Sequence, residues 1–369
     1  MAEIGLLPFA RVALDVAAAI LPPYRSRFSK HQFTQPQLLA VLCLMRYEDW
    51  TFRETEVRLR EHRELRETLK LTSVPDYTTL YRFLQRLDDE TINRVLGESA
   101  RRFKTKRRRR RARVAIDGTG LAHNAVSTFF IRRIEQRPRG MTRWSYWLKW
   151  LIVVDLDRQI ILAQRGRQAP WCDTRSLPAL VDAARRVTPI GLVLADAEFD
   201  TEQNHRHIRE VLGAHSVIPA KRGCSSRVGI RGQMRRHFPR RTYRQRAKVE
   251  TVFSIVKRKL SARAPGQTLP TQTRQALLLG LSFNLYRLRH RPALPGCQQS
   301  HFRFEKGEEP QTQNRRLVHS ALRRLAKKSG PREKGAPTPA AGEEMATSRL
   351  GRDRFRSPLR NSAGEDSIS

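Results

Sequence analysis

Short, nearly continuous apolar segments alternate with helical patterns between residues 114 and 288, and this alternation constrains the fold more than any other feature of the chain. Strands are predicted, in chain order, at 114–116, 147–154, 160–164, 191–195 and 216–219. Helices are predicted at 177–187, 201–212 and 271–288, with one more beginning near residue 243. Apolar strands that alternate with helices indicate an α/β fold, in which helices cover both faces of a mixed sheet. The first three strands are expected to form an antiparallel meander.

The helix that begins near residue 243 carries an unusual set of polar side chains. Tyr243, Arg246, Glu250 and Lys257 fall within a stripe about 60° wide when each residue advances the helix by about 100°. The apolar residues of the same segment form a neighbouring stripe that is suited to a core. This helix is therefore predicted to pack against the domain and to present one acid between cations.

The charge of the chain indicates its partner. Its 369 residues include 72 Lys and Arg against 35 Asp and Glu, a formal net charge of +37. Self-repulsion of this size tends to destabilise a compact state, so a polyanionic partner is the simplest reason to keep it, and nucleic acid is the most common one. A ribosomal or nucleoid-type packing protein is the alternative, and this chain is long for that role.

The N-terminal region, residues 1–103, is predicted to be helical and to bind DNA. It contains an apolar helix at 35–46 that is too short to span a membrane and suits a core. Thr51 and Glu54 have the spacing of a capping box, which predicts that another helix begins there.

A later helix of this region, predicted at 79–87, is apolar on one side and basic on the other. Arg82 and Arg86 lie mostly on its outer side and are candidate DNA contacts. Two short helices joined by a turn, with the second basic outside, are typical of a helix-turn-helix reader. An ordinary helical bundle with a solvated basic face fits the same pattern.

Two further segments border the α/β domain, which is placed at 114–292. Residues 104–113, KTKRRRRRAR, are predicted to be a solvated linker that can lie along a phosphate backbone. Residues 221–241 are predicted to be a basic loop before the helix described above. Residues 293–369 are rich in Pro, Gly, Ser, Arg and Glu and are predicted to be disordered.

The cysteines and the hydropathy indicate a cellular compartment. The four cysteines are scattered without a C-x-x-C pair, which argues against a zinc module and a disulfide framework. Reduced thiols are the default in the cytosol. No stretch reaches the roughly 20 apolar residues that a membrane-spanning helix needs. The protein is therefore expected in the cytoplasm, associated with the nucleoid, without a membrane partner.

Three acids stand at positions that suit metal-dependent chemistry. Asp117 and Asp196 each follow a predicted strand, and Glu250 lies on the late helix. If the first and fourth strands are neighbours, the two aspartates lie side by side. Carboxylates held close together repel each other unless cations intervene, and Mg²⁺ prefers such oxygen ligands. Two such ions about 4 Å apart are typical of phosphodiester chemistry.

Each acid taken alone has a simpler interpretation. An Asp after a strand is usually a turn or cap residue. Glu250 could be a helix salt-bridge partner of Arg246 at i,i+4. Four other acids are predicted to have turn or cap roles only: Asp155, Asp157, Asp173 and Asp200.

The segments around these acids resemble the DDE transposases of bacterial insertion sequences. The resemblance covers roughly residues 34–290 and depends on VAIDGTG around Asp117, VLADAEFDT around Asp196 and the Y-(2)-R-(3)-E-(6)-K signature that ends at Lys257. The segment VPDYTTLYRFLQRL is also similar to the DNA-binding region of that family.

This resemblance implies a ribonuclease-H-like catalytic domain and assigns roles to individual residues. It implies that Asp117, Asp196 and Glu250 are catalytic and hold two Mg²⁺ ions, for which Mn²⁺ is a substitute. It implies that three other signature residues grip DNA near the scissile phosphate: Tyr243, Arg246 and Lys257. Arg and Lys suit this role because they donate hydrogen bonds to phosphate oxygens.

The expected activity is transposition of double-stranded DNA. A homodimer binds the terminal inverted repeats of its element, frees a 3′ hydroxyl at each end by hydrolysis, and joins that hydroxyl to a target phosphate. Some relatives carry a large β-rich insertion where this chain has only residues 221–241, which argues against a hairpin route. A stand-alone ribonuclease-H-like nuclease and a DNA-binding protein with a lapsed catalytic site are the alternatives.

Overall fold

A mixed sheet lies at the centre of the fold. The structure is a computed structural model that describes residues 5–28, 30–103, 111–122, 147–168, 173–223 and 228–288. Within these residues the sheet has five strands, which are β1 Ala112–Ala122, β2 Trp147–Asp155, β3 Ile160–Gln168, β4 Ile190–Leu194 and β5 His215–Val217. Their order across the sheet is β3-β2-β1-β4-β5.

The directions of the strands define the fold class. β1, β2 and β3 are antiparallel neighbours, whereas β4 is parallel to β1 and β5 is parallel to β4. An antiparallel meander extended by two parallel crossover strands is the ribonuclease-H-like arrangement. The predicted α/β fold, its meander and the pairing of the first and fourth strands are confirmed.

Helices surround this sheet and precede it in the chain. Among the described residues, six helices come before β1, namely α1 Leu6–Ala18, α2 Gln35–Tyr47, α3 Phe52–Glu61, α4 Arg63–Thr68, α5 Tyr77–Arg86 and α6 Asp89–Arg101. The described helices that follow are α7 Leu177–Arg185, α8 Glu202–Arg206, α9 Gly229–Arg236, α10 Arg240–Tyr243, α11 Ala247–Lys259 and α12 Leu269–Leu288. The predicted helical character of the N-terminal region is confirmed.

Local caps explain where two of the N-terminal helices begin. Thr51 and Glu54 form the predicted capping box, because each side chain accepts a hydrogen bond from the backbone of the other residue. Asp76 caps α5 by accepting hydrogen bonds from the backbone N–H groups of Thr78 and Thr79.

The first strand is longer than predicted. The sequence predicts a sharp turn at 117–120 and a linker that extends to residue 113, whereas β1 begins at Ala112 and continues to Ala122. Gly118 pairs with Leu151 of β2, and a Cβ at Gly118 would lie 2.8 Å from Cδ2 of Leu151. Gly118 therefore allows close packing inside the strand and does not mark a turn.

The segment predicted as a basic loop contains helical structure. Residues 229–236 form α9, whose first backbone N–H groups, from Ile230 and Arg231, donate to the carboxylate of Glu202. The Arg231 guanidinium also binds the buried carboxylate of Asp200. The loop prediction failed because these partners lie about 30 positions earlier in the chain.

The predicted helix that begins at Tyr243 is also interrupted. Tyr243 ends α10, residues 244–246 form a 3₁₀ turn, and the regular helix α11 begins only at Ala247. The angular stripe calculated for one continuous helix therefore holds only from Ala247 onward.

The N-terminal helices and the sheet share one hydrophobic core. This core includes Phe9 of α1, Leu42 of α2, Trp150 of β2 and Phe283 of α12, each fully buried. The last helix, α12, packs against α2, α6 and β3 and so connects the two regions. Both regions belong to one compact unit.

Some predicted features lie outside the described residues. They are most of the basic linker, at 104–110, and the C-terminal segment from 289 to 369. In the part of the chain that the structure covers, no helix combines the length and apolar character needed to cross a bilayer.

Candidate active site

The central strand places Asp117 beside the late helix. Asp117 lies in the middle of β1, opposite Ile152 of β2, and its side chain is 19% exposed. Its Oδ1 accepts a hydrogen bond of 2.8 Å from the backbone N–H of Gly118. Burial raises the pKa of Asp117, while Arg246 and the Gly118 N–H lower it and Asp196 raises it further.

The parallel neighbour of β1 brings Asp196 to the same level. Ala115 pairs with Leu194 of β4, so Asp117 and Asp196 each lie two residues beyond a matched pair. The chain leaves the sheet at Asp196, whose Oδ1 accepts from the backbone N–H of Ala197 and caps a short 3₁₀ turn. This register is the one expected for two aspartates that lie side by side.

The third acid, Glu250, lies in the first turn of α11. This helix is held on the sheet by its apolar side chains, which are the buried residues Val249, Val252, Phe253 and Val256. Phe253 meets Trp150 of β2 edge to face, with the ring centroids 5.7 Å apart. Glu250 is on the open side of the helix, with 59% of its side chain exposed.

Arg246 joins these elements. Its Nη1 donates a 2.7 Å hydrogen bond to Oδ2 of Asp117, and its Nη2 donates a 3.0 Å hydrogen bond to Oε1 of Glu250. Burial lowers the pKa of Arg246, but Asp117, Tyr243, Asp196 and Glu250 together raise it above its ordinary value. The three predicted acids therefore act electrostatically on one guanidinium that is only 16% exposed.

Tyr243 lies beside this guanidinium. The Arg246 guanidinium carbon is 5.9 Å from the centroid of the Tyr243 ring, and Phe238 packs edge to face on the same ring. Burial raises the pKa of the Tyr243 hydroxyl. The phenol is therefore held as a neutral donor near neutral pH.

Lys257 reaches β1 from the other end of α11. Its Nζ donates a 2.7 Å hydrogen bond to Oγ1 of Thr119, two residues beyond Asp117. Burial lowers the pKa of Lys257. Its hydrogen-bond partner in the described part of the chain is thus a neutral hydroxyl on the strand that carries Asp117.

The carboxylates of this site have the chemistry that a divalent cation requires. Three carboxylates from three elements are the hard oxygen ligands that Mg²⁺ or Mn²⁺ prefers. With Arg246 bound to two of them, however, no three acidic, His or Cys residues among the described positions enclose a metal. The carboxylate oxygens are chemically suited to a cation. In this structure the Arg246 guanidinium binds one oxygen of Asp117 and one oxygen of Glu250, which would otherwise be available to a cation.

A second charged cluster lies beside Gly118 and was not predicted as one. Lys149 of β2 pairs with Asp173 at 2.6 Å and approaches Glu198 at 3.8 Å. Asp173 is 4% exposed, and burial raises its pKa. Asp173 was predicted to be only a turn or cap residue, and this prediction was wrong because its buried carboxylate pairs with Lys149. The only sequence signal was the closeness of Glu198 to Asp196.

Of the other acids predicted to be turn or cap residues, Asp155 has that role. Its Oδ1 accepts from the backbone N–H groups of Asp157 and Arg158 and so closes the β2–β3 turn. Asp157 forms an ion pair with Arg113, and the buried Asp200 carboxylate accepts from the Arg231 guanidinium and from the backbone N–H of Lys221.

Arg82 and Arg86 belong to a separate surface. Both are exposed on α5 and line a groove of about 910 Å³ between α5 and residues 21–38. Five basic side chains contribute to this groove: Arg25, Lys30, Arg82, Arg86 and Arg94. Its two acids, Asp76 and Asp88, are occupied as helix N-caps.

Comparisons with known proteins were made on the sequence and on the fold. Residues 108–285 match the model of a family described as the transposase DDE domain. A search of curated proteins found no significant match. Among solved structures, the chain is similar to a piggyBac transposase in a synaptic complex with hairpin DNA, at 9% identity and a TM-score of 0.40, over 77% of this chain and 75% of that one.

Proposed function

We propose, from the premise that residues 108–285 belong to the transposase DDE domain family, that this protein cuts and joins DNA at the ends of its own element. The proposed reaction is hydrolysis at each terminal inverted repeat, followed by transfer of the freed 3′ hydroxyl to a target phosphate. Both steps use one set of carboxylates: Asp117, Asp196 and Glu250.

One observation carries the proposal. Asp117 from β1 and Glu250 from α11 both bind the single guanidinium of Arg246, and Asp196, like Asp117, lies two residues beyond the paired Ala115 and Leu194. Acids that served only as local caps would have no reason to share one guanidinium across two elements. This arrangement, with Lys257 on the same helix as Glu250, supports a site for a phosphodiester and a cation.

Each residue has a role that its position supports. A divalent cation bound by the three carboxylates would activate the attacking oxygen and stabilise the leaving one. Asp117 is fixed by the central strand, which suits a ligand that must not move during the reaction. Arg246 and Lys257 donate to phosphate oxygens near the scissile bond, and Tyr243 donates to a phosphate or stacks on a base.

The N-terminal helices are proposed to position the DNA. The groove lined by Arg82 and Arg86 carries more basic than acidic side chains, which suits a phosphate backbone. We assign the DNA-binding region to 1–103, the linker to 104–113 and the catalytic domain to 114–292. A homodimer is proposed to pair the two element ends.

Strand transfer tests this function directly. The inverted repeats that flank the gene supply the end sequence for a labelled duplex with a free 3′ hydroxyl. The full chain is incubated with this duplex, supercoiled plasmid and Mg²⁺ or Mn²⁺, and joined product is followed on a gel. Wild type is expected to join label to plasmid, and Asp117→Asn is expected to bind the duplex without joining it.

The other outcomes separate the alternatives. Cleavage of the end duplex without joining would identify a nuclease of the same fold. Binding without cleavage or joining by wild type would identify a DNA-binding protein and would overturn the proposed activity.

A further inference from the structure

We propose that Arg246 is an internal counter-ion of the site, which a divalent cation and DNA displace together. In this arrangement Arg246 neutralises the acids while the protein is free, and it moves to a DNA phosphate when the cation takes its place. The inference rests on the proposed function, because it assumes that Asp117 and Glu250 bind the cation.

The first step is that both oxygens of Asp117 are already engaged. Oδ1 accepts from the backbone N–H of Gly118 at 2.8 Å, and Oδ2 accepts from Nη1 of Arg246 at 2.7 Å. The donor to Oδ1 is a backbone N–H of β1 itself, so this bond can persist when a cation binds. Oδ2 is therefore the atom that a cation needs and that Arg246 holds.

The second step concerns Glu250. Its Oε1 accepts from Nη2 of the same guanidinium at 3.0 Å. This carboxylate is 59% exposed, so its bond is screened by water and is the weaker of the two. A cation that enters from the open side meets Glu250 first and Asp117 second.

The third step is the destination of Arg246. It lies in a 3₁₀ turn at the start of α11, and its neighbour across the turn is the Tyr243 ring. A planar guanidinium matches the oxygens of a phosphate as well as those of a carboxylate. Release from two carboxylates therefore makes a phosphate-binding group available at the edge of the acid site.

The consequence is positive coupling between the two ligands. A cation frees Arg246 for DNA, and DNA that engages Arg246 frees Asp117 for the cation. By linkage, each ligand raises the binding affinity of the other by the same factor, which for coupled sites is typically about 5- to 150-fold.

The test measures Mn²⁺ binding, with no catalytic readout. The fall of the free Mn²⁺ electron paramagnetic resonance signal is recorded for the full chain, with and without a duplex of unrelated sequence. The variants are Arg246→Gln, Asp117→Asn and the matched control Arg244→Gln, which removes the same charge from an exposed residue of the same turn. Circular dichroism melts establish that each variant is folded.

The inference predicts three results. Arg246→Gln binds Mn²⁺ at least about fivefold more tightly than wild type without DNA. Arg244→Gln changes the Mn²⁺ affinity much less, because Arg246 and not Arg244 binds Asp117 and Glu250 in the described structure. The duplex tightens Mn²⁺ binding by wild type by at least about fivefold, and this gain shrinks in Arg246→Gln.

Other outcomes identify which proposal fails. If wild type binds Mn²⁺ through Asp117 but Arg246→Gln binds it no more tightly, the counter-ion role is wrong and the metal assignment stands. If Asp117→Asn binds Mn²⁺ as well as wild type does, the proposed metal site is wrong. If Arg246→Gln does not fold, the test is the effect of the duplex on Mn²⁺ binding by wild type. A duplex that does not tighten Mn²⁺ binding by wild type would overturn the inference.

Discussion

Nη1 of Arg246 lies 2.7 Å from Oδ2 of Asp117, although the two residues are 129 positions apart in the chain. This pair connects the central strand of the sheet to the turn that begins α11. Both side chains are mostly buried, so the pair is screened less than a surface ion pair. The Asp117 carboxylate is thus paired with a cationic side chain of the protein itself in the structure described.

Lys257 is expected to contribute to DNA affinity as a nearly independent phosphate contact. Lys257→Gln should weaken binding of the end duplex and reduce the slope of log K against log salt by about 1. Fluorescence anisotropy across a salt series measures both quantities. Thr119→Val is the matched control, because it removes the hydroxyl that Lys257 binds and keeps the charge. Equal slopes for wild type and Lys257→Gln would contradict the assigned contact.

Asn284 is expected to be among the most sensitive positions for stability. Its fully buried amide binds both the backbone N–H and the C=O of Ile161, and it donates to Ser99. Asn284→Ala should lower the free energy of unfolding by about 2–4 kcal/mol, because several buried groups lose their partners. Ser282→Ala removes one buried bond, to the Cys43 carbonyl, and should cost only about 1 kcal/mol. Urea denaturation compares the two, and equal costs would contradict this account.

Gly280 is expected to tolerate no side chain. A Cβ at this position would collide with Oε1 of Gln164, which accepts from the Trp150 indole. Gly280→Ala should therefore destabilise the protein by about 1–3 kcal/mol through overpacking. Gly97→Ala is the matched helical control, since its nearest contact is a Val187 methyl at 3.1 Å. Thermal melts should show a clear fall for Gly280→Ala and a much smaller change for Gly97→Ala.

Asp76 gives the stability a defined dependence on pH. Hydrogen bonds from Thr78 and Thr79 lower the pKa of this N-cap carboxyl to about 2, well below the unfolded value of about 3.9. A lowered carboxyl pKa stabilises the fold above the unfolded pKa, and the contribution is lost as the pH falls toward the folded pKa. Asp76→Ala should cost about 1 kcal/mol above about pH 5.

This cost should shrink as the pH falls from about 4 toward 2. Chemical denaturation of wild type and Asp76→Ala at matched pH values measures the difference. A gap that stays constant, or widens, on acidification would show that the carboxylate form of Asp76 does not cap α5.

Much of the fold follows from local chemistry that the sequence displays. Apolar periodicity located β2 and α12 to within a few residues, and the capping residue Thr51 located the start of α3. The antiparallel meander of the first three strands was also predicted from the sequence and is confirmed. These features depend on neighbours in the sequence, so a single chain reveals them.

Features that depend on distant partners could not be predicted. Gly118 was predicted to be a turn residue because the sequence does not reveal that it pairs with Leu151 inside β1. Residues 229–236 looked like a loop because their capping group is Glu202. The sequence indicated Arg246 as a DNA contact, and its bond to Asp117 required the three-dimensional structure.

The measurement that tests the central claim most directly is strand transfer by wild type and Asp196→Asn under identical conditions. Asp196 is the right position because its Oδ1 accepts from the backbone N–H of Ala197, whereas Arg246 binds Asp117 and Glu250, so replacement of Asp196 leaves the Arg246–Asp117 pair in place. The account predicts joining of end DNA to plasmid by wild type with Mg²⁺, and loss of joining with retained duplex binding by Asp196→Asn. Joining at the wild-type rate by Asp196→Asn would contradict it.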